Sequence, residues 1–281
     1  MIIKRFVWFV FFCVSFVSLC GSVHASCSKT IDWGLSKTSN LSLILNKDNV
    51  FSICSVKKNS SDNYNFLDCS NRWIVGVEHD AFSRLPDLEN IDLSCNRLAK
   101  VNFSKSNLSK LLILNVWYNS IESISDLVLD GLESVNDLYL DGNRINKIDT
   151  SILSSLSALK YLNLGDNNVY GIDKWDFDWV MNLKELDIKD DYDYIQVWAF
   201  SNIKELEKLS INLPGTQYAW IFSWLDNLSQ LSIDLWYVDN ASIIEWFFSW
   251  LNNIIDLTIV WFWDNLKLNN LKENQLIKFD F

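Results

Sequence analysis

The sequence predicts an α/β solenoid, with short parallel strands stacked into one sheet and irregular or short helical segments returning on its other side. Two observations carry that prediction. Apolar residues recur in one frame at a spacing of about 24 residues, the sign of a repeat architecture. Each unit also joins a stretch of alternating apolar residues, the strand pattern, to a second apolar segment that returns across the core. Composition sets the bounds: 49% of the 281 residues are hydrophobic, which argues against disorder. Two prolines and two histidines exclude proline-rich architectures and histidine-rich metal sites. The odd figure is 14 tryptophans, because indoles are costly to place.

Taken in order, residues 1–25 read as a signal peptide. Lys4 and Arg5 make a basic start, an apolar run extends from residue 6 to about residue 20, and Val23 and Ala25 supply the small residues of a cleavage site. The run falls short of the roughly 20 residues that cross a bilayer. Cleavage removes Cys13, Cys20, His24 and two positive charges, which takes the formal net charge from −11 to −13. No second stretch spans a membrane, and residues 266–281 lack the apolar tail of a lipid anchor. The mature chain is therefore expected to be secreted and extracellular. Residues 26–63 read as an N-terminal cap. Four cysteines remain, Cys27, Cys54, Cys69 and Cys95, and an oxidising compartment implies two disulfides whose pairing the sequence leaves open. Without C-x-x-C spacing, zinc is disfavoured.

Residues 64–281 carry the repeat, about nine units of it. Leu159, Leu162, Leu164, Asn167 and Val169 spell the frame L-x-x-L-x-L-x-x-N-x-φ, where φ is apolar. It recurs at Val135, Leu138, Leu140, Asn143 and Ile145; at Leu111, Leu114, Val116, Asn119 and Ile121; and at Leu88, Ile91, Leu93, Asn96 and Leu98. Upstream, Tyr64, Leu67, Cys69 and Ile74 fit, with Arg72 in the asparagine place. Downstream, the leucine triplets persist, but Asp191, Pro214, Trp236 and Phe262 fall at the asparagine place and the units become irregular from about residue 183. Leu43, Leu45 and Val50 suggest a degenerate first strand. On the convex arm, Val77, Phe82 and Leu85 match Ile124, Leu129 and Leu132, then Ile148, Leu153 and Leu156, then Ile172, Phe177 and Val180. Alternation sends the leucines of each strand inward and turns the residues between them to solvent. The asparagine amide suits backbone groups that the turn leaves unpaired.

This frame resembles the leucine-rich-repeat family, in its extracellular class with units of about 24 residues. The resemblance implies a horseshoe-like solenoid with a parallel sheet on the concave side, and a role in binding. The family pattern weakens toward the C-terminus, where no cysteine-rich cap follows.

Concave positions place Trp117, Tyr118, Tyr139 and Tyr161 on three successive strands, among Asp137, Asp141, Asp166, Asp187 and Asp190. Exposed aromatics beside charges on a rigid sheet suit protein recognition, since they bury much area at little entropic cost. β propensity alone also accounts for tyrosines on a strand face. The acidic run at residues 189–194 (KDDYDY) lacks the spacing of a calcium loop and reads as an exposed acidic turn. His79, the one histidine after the leader, falls in a convex segment. No phosphate loop or nucleophile elbow is present, and the negative charge disfavours nucleic acid. No enzyme, metal or cofactor is expected.

Sequons at Asn102 and Asn107 fall off the concave sheet; others lie at Asn40, Asn59, Asn227 and Asn240. The expected function is non-enzymatic recognition of an extracellular protein or surface ligand, in innate immunity ahead of matrix or adhesion. Two other readings are open: homo- or hetero-oligomeric assembly through a tryptophan-rich C-terminal patch of Trp236, Trp246, Trp250, Trp261 and Trp263, and a carbohydrate-active solenoid enzyme. The remaining convex indoles, Trp175, Trp179, Trp198, Trp220 and Trp224, are expected to fill and cover the irregular units.

Overall fold

The computed structural model describes residues 43–58, 64–213, 221–235, 253–261 and 276–280. The expected leader, Cys27, the sequons Asn40, Asn59 and Asn240, and Trp220, Trp236, Trp246, Trp250 and Trp263 lie outside the described residues. The described residues belong to one compact unit.

Among them, eleven strands form one sheet that is parallel throughout except at its first pair. Every unit contributes one strand, and the pairing is in register from unit to unit. Leu67, Ile91, Leu114, Leu138, Leu162, Leu186, Leu209, Leu231 and Leu257 stand directly opposite one another along the sheet. All nine are buried. Burying a leucine contributes about 1.5–3 kcal/mol, so this single row is a large part of the cohesion, and it exists only because neighbouring units share it.

The convex arm returns over the same core. The match between arms is confirmed: Val77, Leu85, Ile124, Leu129, Leu132, Ile148, Leu153, Leu156, Ile172 and Val180 are all buried. Phe82 stacks on Phe103 with ring centroids 5.6 Å apart, and Phe177 stacks on Phe200 at 5.5 Å. Among the described residues helix is confined to short pieces. Ile124–Asp126 and Thr150–Ser155 are 3-10 turns whose first N–H groups are capped by Ser123 and Asp149.

The asparagines explain how consecutive units lock together. Asn143 accepts from the N–H of Ile121 (3.1 Å) and donates to the carbonyls of Val116 (3.1 Å) and Leu140 (2.9 Å). Asn119 and Asn167 repeat the arrangement. Consequently Leu93, Val116 and Leu140 each offer their carbonyl to two ladder amides, one from their own unit and one from the next. The residue before each ladder position is left-handed: Asn71, Cys95, Tyr118, Gly142 and Asp166 have φ between 52° and 64°. Those turns aim the amides inward.

Four sequence expectations are corrected here. The ladder does not pass to Asp191: Asp190 Oδ2 accepts from the N–H of Val169 (2.9 Å), the role that the asparagine oxygen plays in earlier units. An ionised carboxylate has no hydrogen to donate, and the buried Tyr192 hydroxyl takes over that half of the work by donating to the Ile188 carbonyl. The run at residues 189–194 is therefore built into the turn, with Tyr192 in the core, and is not simply an exposed acidic segment. The later units are also not irregular on the strand side. Lys208–Leu213, Gln230–Leu235 and Asp256–Trp261 are six residues each and pair in full register. Where the ladder turn is lost, the strand continues and pairs those backbone groups itself. Finally, Leu43–Leu45 is a strand, but it pairs with Ile74–Val77 outside the main sheet.

At the N-terminal end Ser55–Lys58 pairs antiparallel with Tyr64–Asp68 and covers the first edge of the sheet. A Cys54–Cys69 disulfide ties the two together, and Cys95 is also disulfide-bonded. Substituting Asn143→Asp retains an acceptor but deletes the donor shared by two carbonyls and buries a charge. The expected cost is about 2–4 kcal/mol, read as a lower urea midpoint; a midpoint equal to wild type would show that the ladder contributes nothing.

Candidate functional site

The parallel register turns the solvent side of the sheet into rows. The first row runs Ile113, Asp137, Tyr161, Glu185, Lys208, and the second Asn115, Tyr139, Asn163, Asp187, Ser210. Tyr161 therefore stands between two carboxylates, and Tyr139 between two amides. The two phenol rings meet diagonally, with centroids 4.9 Å apart. Just past the strands, backbone bonds from Tyr118 to Asp141 and from Gly142 to Gly165 continue the order into a third row of Trp117, Asp141, Gly165 and Lys189.

The second row obeys a rule that sequence reasoning missed. Asp68, Asp92, Asn115, Asn163 and Asp187 each accept from the backbone N–H two residues on, at 2.9–3.3 Å. These side chains shape the exit from the strand, and the signal was present in the sequence as Asp or Asn at one fixed place in the frame. Tyr139 is the exception in the middle of the series. It gives up that turn bond and has no core to fill, being half-buried on the solvent side. A local rule broken without structural gain is where a functional position is expected.

The expected site residues do not all gather on this face. Tyr139, Tyr161, Asp137, Asp141 and Asp187 do, with Trp117 two residues beyond its strand. Tyr118 and Asp166 do not stand on strands. Both occupy the left-handed turn position, and Asp166 is exposed there. Tyr118 lies against Trp117 with centroids 5.1 Å apart. Its ring covers Gly142, where an added Cβ would come within 2.5 Å of the ring. Gly142 thus serves two needs at once, a positive φ and room for an aromatic from the preceding unit.

Charge on this face is unevenly settled. Lys189 pairs with Asp234 at 2.9 Å and Lys208 with Glu185 at 3.2 Å. Asp137 and Asp141 have no ion pair among the described residues. Burial pushes the Asp141 carboxyl up to about 6, with Asp166 and Asp187 adding repulsion. Its Oδ1 is buried without a hydrogen-bond partner. Burial likewise raises Asp137, with Glu185 adding repulsion. The Tyr161 phenol is raised by burial first and then by the carboxylates around it. The arrangement offers aromatic faces and hydrogen-bond acceptors, a combination suited to binding donors and cations.

A second surface departs from expectation. Trp175, Trp179 and Trp198 are 60%, 58% and 43% exposed, beside Met181 and Val197. They fill nothing, because Phe177, Phe200, Phe222 and Leu225 already occupy the core there. Lys174 lies over the Trp175 ring at 3.8 Å, and Trp198 meets Trp224 with centroids 4.4 Å apart. Of the expected C-terminal patch, Trp261 ends the strand Asp256–Trp261; its other members lie outside the described residues.

A family model described as leucine rich repeat matches residues 133–192, which hold the two tyrosines and their carboxylates. The chain is 29% identical to Toll-like receptor 3 of Boselaphus tragocamelus over 213 residues, 72% of this chain and 22% of that protein. It is 25% identical to CD180 antigen of Mus musculus, over 63% of this chain and 27% of that protein. With Tsukushi of Gallus gallus it shares 26% identity over 70% of this chain and 53% of that one. The chain thus spans between about a fifth and half of the length of these relatives. In fold it is similar to a TLR13–ssRNA13 complex structure (TM-score 0.56, 22% identity, 69% of this chain and 28% of that one). A leucine-rich-repeat protein of Leptospira interrogans gives a TM-score of 0.52 at 20% identity, over 69% of this chain and 48% of that one. Repeat frame, solenoid and relatives agree: the chain has the leucine-rich-repeat fold.

Three carboxylates make stability depend on pH in an unusual direction. Burial raises Asp141 and Asp190 to about 6 and Asp176 to about 7. All three bind a proton more tightly folded than unfolded, so their contribution is complete below about pH 4 and is lost as pH rises through 6 to 7. Stability is expected to fall by on the order of 1–3 kcal/mol between pH 5 and pH 8. Asp176→Asn, which keeps an acceptor for the N–H of Asp173, should flatten that slope. Urea unfolding at the two pH values checks it, and a midpoint that rises with pH contradicts the assignment.

Proposed function

We propose that this leucine-rich-repeat chain is a secreted, non-enzymatic recognition protein that binds an extracellular protein or surface ligand through the strand face centred on Tyr139 and Tyr161. The observation that carries the reading is Tyr139 itself, which interrupts an otherwise regular series of turn-forming Asp and Asn residues to present a phenol beside a second one. Trp117 and Asp141 extend the patch toward the turns, and Asp137 and Asp187 bound it. Likeness to Toll-like receptor 3 and CD180 antigen supports innate immunity as the setting.

One structural neighbour is a complex with single-stranded RNA, and that ligand does not transfer to this face. Phosphates approaching Asp137, Asp141 and Asp187 meet like charge. A second reading, assembly through the convex side, is favoured by the exposure of Trp175, Trp179 and Trp198 and applies if the chain self-associates at micromolar concentration.

The test is capture from extracellular fluid on the immobilised chain. Tyr139→Ala with Tyr161→Ala should abolish the specific capture, by about 100-fold in affinity if both act as anchors. Trp175→Ala with Trp179→Ala should leave it intact. The reverse pattern, with unfolding excluded by circular dichroism, moves the binding surface to the convex side.

A further inference from the structure

Within the strand face, the charges divide into those with a structural task and those without. Asp68, Asp92 and Asp187 hold turn N–H groups, and Glu185 holds Lys208. Asp137 and Asp141 hold no N–H two residues on and form no ion pair among the described residues, although Asp141 accepts from its own N–H. Asp137 lies two residues before Tyr139 on the same strand, and Asp141 lies two residues after it, just past the strand's end. Across the sheet Tyr161 brings a second ring to within 4.9 Å of the first. Beyond Asp141 the third row drops to Gly165, whose place a Cβ would fill at 3.4 Å from Asn163 Oδ1 and Asp187 Oδ1. The face is therefore low at that point and ringed by acceptors. Of the lysines that border it, Lys189 is paired with Asp234 and Lys208 with Glu185, and Lys160 lies near enough to Asp137 to lower its carboxyl without forming an ion pair.

We infer that the partner bound at this face is a polypeptide presenting arginine or lysine side chains, one of which lies across the Tyr139 and Tyr161 rings and donates to Asp137 and Asp141. The inference rests on the strand-face reading above and adds the chemistry of the partner to it. A guanidinium meets both features together, since its plane stacks on an aromatic face while its edge donates to carboxylates. A nucleic acid or an acidic protein would add charge of the same sign to groups already short of compensation.

The probe is a fluorescent octa-arginine peptide, titrated against the full chain at physiological salt, with a twenty-nucleotide single-stranded RNA as its opposite. The peptide is expected to bind and the RNA is not. Asp137→Asn with Asp141→Asn, which preserves shape, should weaken the peptide at least tenfold, about 1.4 kcal/mol. Asp130→Asn with Glu133→Gln removes the same charge from exposed positions off the sheet and should change affinity less than twofold. Equal weakening by both pairs means that net charge alone attracts the peptide, and the inference fails. RNA binding in place of peptide overturns it as well. If Tyr139→Ala with Tyr161→Ala abolishes capture from extracellular fluid while the Asp137 and Asp141 pair leaves both capture and peptide unchanged, the strand face is still the binding surface and only the cationic partner is refuted. If neither pair affects capture, both readings fall.

Discussion

The constraint on which this molecule depends is the fate of backbone polar groups where parallel strands end. A buried N–H or carbonyl without a partner costs as much as several good contacts contribute, and a stack of short strands creates such groups at every turn. Asn96, Asn119, Asn143 and Asn167 solve the problem with one side chain per unit, each amide bonding to its own unit and to the one before. The leucine rows supply cohesion, but they tolerate any apolar residue of similar volume. The amide is less replaceable, because donor and acceptor must leave one short side chain in opposite directions. Left-handed turns at Asn71, Cys95, Tyr118, Gly142 and Asp166 follow from that demand, and they decide where Tyr118 and Asp166 can sit.

The same regularity makes the recognition surface intelligible. A solenoid repeats its solutions, so an aspartate on its strand face is first a copy of a structural residue and only then a ligand contact. Asp68, Asp92 and Asp187 belong to the first kind. Departures from the copied pattern carry information in proportion to what they sacrifice, and Tyr139 sacrifices a turn bond. Asp137 and Asp141, on either side of it, bear charge that no ion pair among the described residues offsets. The proposed binding face thus draws on two or three units whose leucines and asparagines are as regular as any others.

Much of this was legible in the sequence because it repeats. The leucine rows, the ladder from Asn96 to Asn167, the convex plugs and the tyrosine pair follow from residues counted in one frame. What escaped the frame did so for identifiable reasons. Asp190 and Tyr192 share a task that one residue performs elsewhere, so matching single positions pointed to Asp191 instead. The long strands after Lys208 lack any turn signal, and the missing asparagine resembles decay where it marks continued pairing. Large apolar residues usually lie inside, which favours a core role for the convex indoles, yet phenylalanines one turn away have already taken the core. The turn series through Asn115 and Asn163 was readable from the outset, but its aspartates are as easily read as surface charge.

The division of labour between Asp190 and Tyr192 has a mechanical consequence. Leu93, Val116 and Leu140 are each gripped by two amides, whereas the Leu164 carbonyl receives Asn167 of its own unit and, among the described residues, no amide from the unit that follows. Coupling between neighbours is what makes a solenoid melt as one body, and at this boundary it is carried by strand pairing and by the bond from the Val169 N–H to Asp190. On one side lies a block knitted by amides, on the other a block knitted by six-residue strands, each internally consistent. Between Asn167 and Asp190 the chain thus changes its means of joining units, from side-chain amides to continued strand pairing. The Tyr139 and Tyr161 patch lies at that change, with Tyr161 facing Glu185 across it.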